Sequence, residues 1–398
     1  MEKIKILRII ARLNIGGPAR HTVLLNRGLN KDIFQTILVH GVVDKDEGDM
    51  GYLACEKGVR SVIIPELSRR ISWRSDLVAF WKLHRLIKKE KPDIIHTHTA
   101  KAGTLGRLGG IAYKLFSGSK VAHPKLIHTF HGHVLYGYFG KVKNKIFIWI
   151  ERFLAKFTDR IIVVNQRIKK ELLSFGIGSP EKIAVIPLGL ELKGLLALEG
   201  IKRETENNFS VGIIGRLVPI KNHKMFLEVV NEFQRANRKL RTDFFIIGDG
   251  ELREELQKYA KQLGIEENVV FMGWQKELNE VYSNLDIVAL ASLNEGTPVS
   301  LIEAMAAGKA VISSDVGGVN ELVNGGESAI GGGYKIGKRG ILVKSGDVKG
   351  FSEGLRLLLG DSALRKRLGR EGKEFVRERF SHERLIKDTE NLYRGLAI

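Results

Sequence analysis

The chain has 398 residues, which is more than one hydrophobic core usually holds, so we expect two domains. Its composition, 43% hydrophobic and 27% charged, excludes a disordered polypeptide. A single cysteine, Cys55, excludes an internal disulfide framework and is typical of a reducing compartment, and no stretch approaches the roughly 18 apolar residues of a membrane span. The net charge of +19 is concentrated in residues 1–200, which hold 34 Lys and Arg against 17 Asp and Glu, whereas the remainder holds 30 against 28.

This uneven charge predicts a negatively charged partner, either nucleic acid or an anionic membrane surface. A solubilising basic surface, as in proteins from hot environments, is the alternative. Residues 1–11 have a basic start but a short apolar part broken by Arg8, which indicates a first strand rather than a signal peptide. We therefore expect a cytoplasmic protein, at most peripheral at the inner face of the cell membrane.

Short β-rich runs alternate with amphipathic stretches over residues 4–187. This alternation predicts βαβ units and a parallel sheet. The predicted strands of this half lie at 5–11, 35–39, 61–64, 93–96, 126–130, 160–164 and 183–186.

The first strand is followed by a turn with two adjacent glycines, Gly16 and Gly17, and then by a helix. Glycines at a strand-to-helix turn allow backbone to approach a ligand closely. The turn lacks the G-x-G-x-x-G spacing, which counts against a dinucleotide-dependent oxidoreductase.

Several histidines lie near the ends of predicted strands. His131 follows the strand at 126–130; a histidine there is more often structural than catalytic, but the glycine after it and an expected cleft-facing position favour function. His133, His96 and His98 are weaker candidates. Because neither a cysteine nor a carboxylate cluster accompanies these histidines, no metal site is predicted.

Residues 141–157 form an apolar stretch with cations at both ends. As a helix, this stretch is expected to pack its apolar residues into the first domain. The alternative is that it lies in a membrane interface, drawn there by anionic lipid.

A polar stretch at 199–208 interrupts the pattern and predicts a linker over 191–208, between an N-terminal domain at 1–190 and a C-terminal domain at 209–380. Both domains are predicted to be α/β and doubly wound, with functional loops beyond the carboxyl ends of the strands, facing a cleft between the domains. A glycine-rich insert at 325–337 is predicted to be a flexible surface loop. The strands of the second series are predicted at 210–214, 243–247, 269–272, 287–290, 310–313 and 340–343.

Two cations, Arg216 and Lys221, lie just past the first strand of the second series. Arginine binds phosphate oxygens bidentately and lysine as a point charge, so the pair suits a dianionic diphosphate; two solvated loop cations are the alternative. Gly248 and Asp249 follow the next strand, where a simple turn is nearly as good an interpretation.

The strand at 287–290 leads through a loop with Glu295 and Gly296 into a helix. Thr297 is predicted as the N-cap, Pro298 as the first helical residue and Gly308 as the stop. Such a helix start presents unpaired amide N–H groups, here on Val299 and Ser300, at the positive end of the helix dipole, where they suit a phosphate. Glu303 lies about one turn into that helix.

The spacing Glu295-x7-Glu303, followed by Ala-Met-Ala-Ala-Gly-Lys-Ala-Val-Ile at 304–312, resembles the signature of the retaining family 4 nucleotide-sugar glycosyltransferases of GT-B fold. This resemblance covers nearly the whole chain. It implies that the first domain receives the acceptor, that the second binds the donor, and that a C-terminal helix at 381–398 crosses back toward the first domain.

The resemblance also implies roles for individual residues. Arg216 and Lys221 would neutralise the leaving diphosphate, His131 and Glu295 would contact the donor sugar, and Glu303 would bind the ribose hydroxyls. The implied nucleotide contacts are completed by Gly16 and Gly17 at the diphosphate, Gly248 and Asp249 at the nucleotide pocket, Met272 and Gly273 at the base, and Gly296, Thr297, Pro298, Val299 and Ser300 at the helix start.

These inferences predict a metal-independent glycosyltransferase, without a cofactor, that moves a sugar from a nucleotide-sugar donor to a glycan or lipid-linked acceptor in cell-envelope polysaccharide or glycolipid synthesis. An anionic membrane surface is a further predicted partner. A sugar-nucleotide epimerase of related fold and a basic nucleic-acid-binding protein are the alternatives; Glu295, Glu303, Arg216 and Lys221 favour transfer, and the lack of an aromatic-basic motif disfavours nucleic acid. The sugar, the base and the acceptor stay open.

Overall fold

The computed structural model describes residues 2–14, 16–44, 48–68, 71–117, 123–132, 141–198, 208–236, 241–325 and 329–397. The chain divides into two compact units. The first joins Met1–Leu190 to His382–Ile398, and the second is Glu191–Ser381.

Within the described ranges the strands are β1 (Ile4–Ile10), β2 (Phe34–His40), β3 (Ser61–Ile63), β4 (Ile94–His98), β5 (Lys125–Phe130), β6 (Arg160–Val163), β7 (Ile183–Val185), β8 (Asn208–Ile214), β9 (Arg241–Ile247), β10 (Val269–Gly273), β11 (Ile287–Leu290), β12 (Ala310–Ser314), β13 (Ala329–Ile330), β14 (Tyr334–Ile336) and β15 (Ile341–Val343). The α-helices are α1 (Gly17–Gly28), α2 (Gly51–Glu56), α3 (Trp73–Glu90), α4 (Ala100–Phe116), α5 (Lys141–Phe157), α6 (Gln166–Ser174), α7 (Lys193–Leu196), α8 (His223–Ala236), α9 (Arg253–Gln262), α10 (Leu278–Ser283), α11 (Val299–Ala306), α12 (Val319–Val323), α13 (Val348–Gly360), α14 (Ser362–Arg379) and α15 (His382–Ala397).

The first unit is built on a parallel sheet in the order β3-β2-β1-β4-β5-β6-β7. Helices cover both faces, so its strands are nearly continuous apolar runs. Along β1, Leu7 and Ile9 face a core with residues of α3 and α4, whereas Ile6 faces a core with residues of α1 and α15. The strand order reverses between β1 and β4, where ligands bind in doubly wound sheets.

The second unit repeats this plan in the order β10-β9-β8-β11-β12-β15-β14-β13. The strands from β10 to β15 in that order are parallel, and β14 and β13 add an antiparallel edge. The reversal of strand order lies between β8 and β11. Both units are therefore α/β and doubly wound, as predicted from the alternation of strands and helices.

The predicted strands all exist, and their ends shift by a few residues. One shift matters for the site: β4 runs to His98 rather than ending at residue 96, so His96 and His98 both lie in the strand. Their rings share one face of the sheet because side chains two residues apart point the same way.

The glycine-rich insert departs from the prediction of a flexible loop. Within its described residues, β13 pairs with β14, and β14 pairs with β15 at the sheet edge. A tight glycine turn makes this hairpin: Gly333 has φ 82°, and a Cβ there would lie 2.8 Å from the Cα of Gly350. Residues 326–328 of the insert lie outside the described ranges.

The predicted linker contains a helical turn. Residues Lys193–Leu196 form α7, which contacts α10 and α11 within the second unit. Residues 199–207, most of the polar stretch, lie outside the described ranges.

Helix α5 packs one face against the first unit, as predicted for residues 141–157, and exposes the other. Leu154 and Ala155 are buried against the first unit. The opposite face carries exposed apolar side chains at helical spacing, which we call the α5 stripe: Val142, Ile146, Trp149, Phe153 and Phe157. Among the helices that the structure describes, none has the length and apolar character needed to cross a bilayer.

Candidate functional site

In the second unit the loops after β8 and β11 meet at the point where the strand order reverses. The loop after β8 contains a 3-10 turn, Pro219–Lys221, and the amide of Leu293 after β11 donates to the carbonyl of Ile220 over 2.9 Å. This backbone bond holds the two loops side by side. It brings together Lys221 and Glu295, which are 74 residues apart in sequence.

Lys221 and Glu295 form an ion pair, with Nζ 2.5 Å from Oε1. The carboxylate also accepts a 2.7 Å hydrogen bond from Ser292 Oγ. Both charged side chains are largely buried, with 22% of Lys221 and 11% of Glu295 exposed. The sequence analysis missed Ser292, because it belongs to no recognised motif. Its position just after β11 was the only available signal.

Glu295 also rests on a glycine that the sequence analysis missed. Gly317, after β12, has φ 55°, and a Cβ there would collide with the carbonyl oxygen of Glu295. That carbonyl accepts a 3.0 Å hydrogen bond from the amide of Gly318. The Gly-Gly pair after an apolar strand was the available signal, since such pairs mark close backbone approach.

Helix α11 begins one residue later than predicted. Pro298, in extended conformation, is the N-cap and Val299 the first helical residue, so Thr297 is not the N-cap and the prediction for both residues was wrong by one position. Proline fixes φ but leaves ψ free, so it can stand just outside the helix as well as at its first residue. Gly308, with φ 70°, follows the C-cap Ala307 and stops the helix as predicted.

The start of α11 retains the features that suit an anion. The amides of its first residues, Val299 and Ser300, have no acceptor one turn earlier in the helix and lie at the positive end of its dipole. Gly296 and Thr297 form the half-buried loop that leads from Glu295 to this helix start.

Glu303, the fifth residue of α11, is only 6% exposed. Its Oε2 accepts a 2.9 Å hydrogen bond from the hydroxyl of Tyr282, at the end of α10, which is itself fully buried. Tyr282 was missed because no motif marks it. A buried carboxylate is stable only when hydrogen-bonded, so Tyr282 fixes where Glu303 points.

Arg216 stands apart from the Lys221 pair. Its side chain is exposed, and no ion-pair or hydrogen-bond partner for it is found among the described residues. The structure thus pairs one of the two predicted phosphate-binding cations and leaves the other in solvent.

The glycines at the ends of β8, β9 and β10 lie in contact. The amide of Gly248 donates to the carbonyl of Gly273 over 2.9 Å, and a Cβ at Gly248, where φ is 135°, would collide with the carbonyl of Gly215. Asp249 is used within its own turn, where Oδ1 accepts from the amide of Gly250 over 2.8 Å. Met272, beside Gly273, is 39% exposed.

In the first unit Gly16 is the N-cap of α1 and Gly17 its first residue, at the end of the loop that follows β1. This places both glycines at the reversal of strand order, where the sequence analysis expected them to approach a ligand. Ile15 lies outside the described residues.

Three histidines meet beside this turn. His98 at the end of β4 and His131 after β5 lie 2.9 Å apart between Nδ1 and Nε2, and His21 of α1 packs edge-on against His131 with ring centroids 4.7 Å apart. Burial lowers the pKa of His131 to about 4 and those of His21 and His98 well below their ordinary value. All three are therefore neutral at pH 7. His21 was missed, and the predicted candidate His133 lies outside the described residues.

A second polar layer lies behind these rings. His96 Nδ1 is 2.5 Å from the hydroxyl of Tyr393, in α15, and its Nε2 is 2.7 Å from Thr129 Oγ1. Arg8, wholly buried in β1, donates to the same Tyr393 hydroxyl over 2.8 Å. The Tyr393 hydroxyl thus links α15 to both β1 and β4.

The histidine cluster bears on the prediction of no metal site. His21, His98 and His131 each offer one nitrogen within 4.8 Å of the others, a spacing compatible with a transition metal ion. The prediction rested on the lack of cysteine and carboxylate partners and did not foresee that three imidazoles would meet. It stays a prediction.

Two family models match the chain. Residues 15–193 match the model described as "Glycosyltransferase Family 4", and residues 198–375 match "Glycosyl transferases group 1".

Among characterised and catalogued proteins, the chain is 32% identical over 320 residues to the Escherichia coli UDP-Gal:alpha-D-GlcNAc-diphosphoundecaprenol alpha-1,3-galactosyltransferase, covering 78% of this chain and 77% of that protein. It is 24% identical over 343 residues to the Staphylococcus aureus capsular polysaccharide biosynthesis glycosyltransferase CapM, covering 83% and 84%.

Among solved structures, Anabaena HepE in complex with UDP and glucose superposes with a TM-score of 0.77 at 18% identity, over 98% of this chain and 100% of that one. The lipopolysaccharide outer core galactosyltransferase WaaB superposes with a TM-score of 0.70 at 20% identity, over 98% and 99%. At such identities the likeness concerns the fold, which is GT-B.

Proposed function

The chain belongs to the group 1, family 4 glycosyltransferases, and we propose that it moves a sugar, with retention of anomeric configuration, from a nucleoside diphosphate sugar to a lipid-linked or glycan acceptor. Its relatives include enzymes named for cell-envelope glycan synthesis. We place its reaction in the same process.

The observation that carries this proposal is the partly buried pair between Lys221, in the loop after β8, and Glu295, in the loop that leads into α11. When the anomeric C–O bond breaks, the electron pair goes to the diphosphate and positive charge develops on the sugar ring. Lys221 and the amides of Val299 and Ser300 are suited to stabilise the negative charge that develops on the diphosphate. Electrostatic stabilisation of this kind is the largest single contribution in many enzymes.

Glu295 and Glu303 are proposed as binding groups rather than as the acid and nucleophile of a hydrolase. Glu295 would accept hydrogen bonds from hydroxyls of the sugar, and Glu303 from hydroxyls of the ribose. Arg216, which is exposed, would add a bidentate contact to the diphosphate, and neutral His131 would contact the sugar. In this proposal no step needs a protein-bound metal ion or a further cofactor.

We propose uridine as the base of the donor, with guanosine as the alternative. The E. coli relative is named for UDP-galactose, and HepE was solved with UDP and glucose. The end of β10 at Met272 and Gly273 is the proposed base contact.

The proposed acceptor is a lipid-linked glycan at an anionic membrane surface on the cytoplasmic side. The E. coli relative acts on a sugar carried by diphosphoundecaprenol, by its name. The α5 stripe and the excess of 34 basic over 17 acidic residues in 1–200 are both suited to an anionic lipid surface.

The test is a donor screen followed by an assay of transfer. UDP or GDP at 100 times its dissociation constant should stabilise the folded chain by about 2.7 kcal/mol, seen as a higher melting temperature. Mass spectrometry should then show an acceptor heavier by one sugar. Failure of every nucleotide to stabilise the chain, or an epimerised donor without transfer, would refute the proposal.

A further inference from the structure

His98 and His131 of the first unit are joined ring to ring. His98 Nδ1 and His131 Nε2 are 2.9 Å apart, and the ring planes lie within 26° of each other with centroids 5.2 Å apart, an edge-to-edge arrangement. Two neutral imidazoles at this distance share one proton: one ring donates and the other accepts. The tautomer of His98 therefore decides that of His131, the residue to which the proposed function gives a sugar contact.

The surroundings decide which ring donates. His98 is wholly buried, and its Nε2 has no hydrogen-bond partner among the described residues. If His98 accepted at Nδ1, its only proton would stand on Nε2 as a buried, unpaired N–H. If His98 donates from Nδ1, only a lone pair is left unused. Buried N–H groups without acceptors are the rarer and costlier case. His98 is therefore the donor.

His96, in the layer behind His98, also has an assigned tautomer. The Tyr393 hydroxyl accepts a hydrogen bond from Arg8, because a guanidinium can only donate. The hydroxyl therefore donates its own proton to His96 Nδ1. Neutral His96 then carries its proton on Nε2 and donates it to Thr129 Oγ1. The His96 ring lies 4.3 Å from the His98 ring, centroid to centroid. Each ring in this face of the sheet thus has one assigned tautomer.

A metal ion is the other use of these histidines, and local charge disfavours it. The cluster of His21, His98 and His131 contains no carboxylate, and buried Arg8 already places positive charge beside it. A divalent cation would add charge where nothing offsets it. A hydrogen bond between neutral rings adds none.

We propose that His98 is a positioning residue: it donates to His131 Nε2 and thereby holds His131 in the tautomer whose N–H stands on Nδ1, ready to donate to an oxygen of the donor sugar. The proposal rests on the proposed function for the sugar contact. The tautomer itself does not depend on that function.

The first experiment reads the tautomer without any reaction. Protein labelled with ¹⁵N-histidine should show His131 protonated at Nδ1 at pH 7 by nitrogen-detected NMR. His98→Ala should give a mixture of both His131 tautomers. His98→Asn should restore the Nδ1–H form, because the asparagine amide donates from nearly the position of the imidazole Nδ1.

The second experiment reads the reaction. His98→Ala should lower kcat by roughly 10- to 100-fold, the usual effect of one lost hydrogen bond to a buried group, and leave KM for the donor within about threefold. His98→Asn should recover most of the lost kcat. His128→Ala is the matched control: His128 is equally buried but lies on the other face of the sheet, bonded to Thr97 Oγ1 over 2.8 Å, so its loss should not alter the His131 tautomer.

Three results would overturn the proposal. His131 of the wild type protonated at Nε2 would do so, and so would a folded His98→Asn variant as slow as His98→Ala. A Co²⁺ titration giving a visible absorption band that disappears in His21→Ala and His98→Ala would assign the cluster to metal binding instead. A wild type that transfers no sugar would refute the proposed function, while the NMR result would still decide the tautomer.

Discussion

At the scale of single residues, Lys221 carries the largest share of the proposed chemistry. Its ammonium lies 2.5 Å from Glu295 in a partly buried site, so the folded protein holds a positive charge in place where the diphosphate is proposed to bind. A charge oriented before the reaction costs no reorganisation when the bond breaks. The exposed Arg216 has no such restraint among the described residues.

We therefore expect Lys221→Ala to lower kcat/KM much more than Arg216→Ala does. One lost charge contact in the transition state costs about 2–4 kcal/mol, or roughly 30- to 1000-fold in rate. Glu295→Gln should have an effect of similar size, because it weakens the hydrogen bonds that Glu295 is proposed to accept from the sugar hydroxyls. The measurement is steady-state transfer, with circular dichroism to show that the fold is kept.

Lys338→Ala is the matched control for Lys221→Ala. Lys338 is 56% exposed and pairs with Glu371 over 3.5 Å in the same unit. Exposed pairs contribute about 0–1 kcal/mol, so this variant should transfer at close to the wild-type rate. Equal loss in both variants would show that Lys221 has no special role.

His223, the first residue of α8, makes stability of the second unit depend on pH. It is buried, neither ring nitrogen has a hydrogen-bond partner among the described residues, and burial followed by the nearby Lys221 charge lowers its pKa to about 4. In the unfolded chain the pKa of this histidine is near 6.5, so at pH values between 6.5 and 4 the unfolded chain binds a proton there and the folded chain does not. Stability from this group is therefore full above pH 6.5 and is lost as pH falls toward 4.

We expect His223→Leu to reduce this acid sensitivity. The shift from 6.5 to about 4 corresponds to about 3 kcal/mol between pH 7 and pH 4, and leucine has no proton to gain. Urea unfolding of variant and wild type at a series of pH values measures it. Above pH 7 the two should differ only by packing; parallel curves down to pH 4 would show that His223 is not the source.

At the scale of elements, α5 is the helix whose two faces do different things. The buried face holds it on the first unit, and the α5 stripe exposes Trp149 at 68% and Val142 at 72%. The stripe is accompanied by basic residues, Lys143, Lys145 and Arg152. Amphipathic helices of this kind bind in the interface of anionic bilayers.

We expect Trp149→Ser combined with Phe153→Ser to weaken binding to anionic vesicles by at least about tenfold, since a buried aromatic side chain contributes about 1.5–3 kcal/mol. Sedimentation with vesicles rich in phosphatidylglycerol measures the effect. Val270→Ser, which removes an apolar side chain of the second unit that is 48% exposed, is the control. If the wild type shows no preference for anionic over neutral vesicles at low salt, the membrane proposal fails.

The glycine-rich hairpin and α11 show, at this same scale, where sequence reasoning stops. Periodicity located every parallel strand that the structure describes in the two sheets, because strands buried on both faces are continuous apolar runs. It did not find β13 and β14, since two- and three-residue strands among glycines carry no apolar run. The start of α11 was misplaced by one residue because proline is compatible with both positions.

Long-range side-chain contacts were the other limit. Lys221 and Glu295 were each predicted as site residues, but no sequence pattern states that they touch. Ser292, Tyr282, His21 and Tyr393 were not predicted at all, since each acquires its role from a partner on another element. Gly317 was also missed, although the Gly-Gly pair that follows β12 is visible in the sequence.

At the scale of the whole molecule, the first unit is made of two distant parts of the chain. Arg8 and Tyr393, 385 residues apart, share a buried hydrogen bond, and Arg384 donates to the carbonyls of Pro187 and Leu188 over 2.7 and 2.8 Å. Leu385 and Tyr393 of α15 are wholly buried in the same core as Ile6. Helix α15 is thus an integral part of the first unit.

We expect Tyr393→Phe to lower the free energy of unfolding of the first unit by about 1–3 kcal/mol, because it leaves Arg8 and His96 without their shared partner. Hydrogen exchange at the amides of β1 measures this locally. Tyr259→Phe, which removes a less buried hydroxyl bonded to Glu228 over 2.9 Å in the second unit, should leave exchange in β1 unchanged. Unchanged protection in Tyr393→Phe would contradict the inference.

The return of α15 to the first unit has a consequence for synthesis on the ribosome. The amino-terminal part of the first unit emerges early, yet it waits for its last helix until residues 382–397 have left the exit tunnel. The second unit, whose residues are contiguous, completes its sequence before then. Nearly two hundred further residues are therefore translated before the helix that carries Tyr393 can complete the core of the first unit.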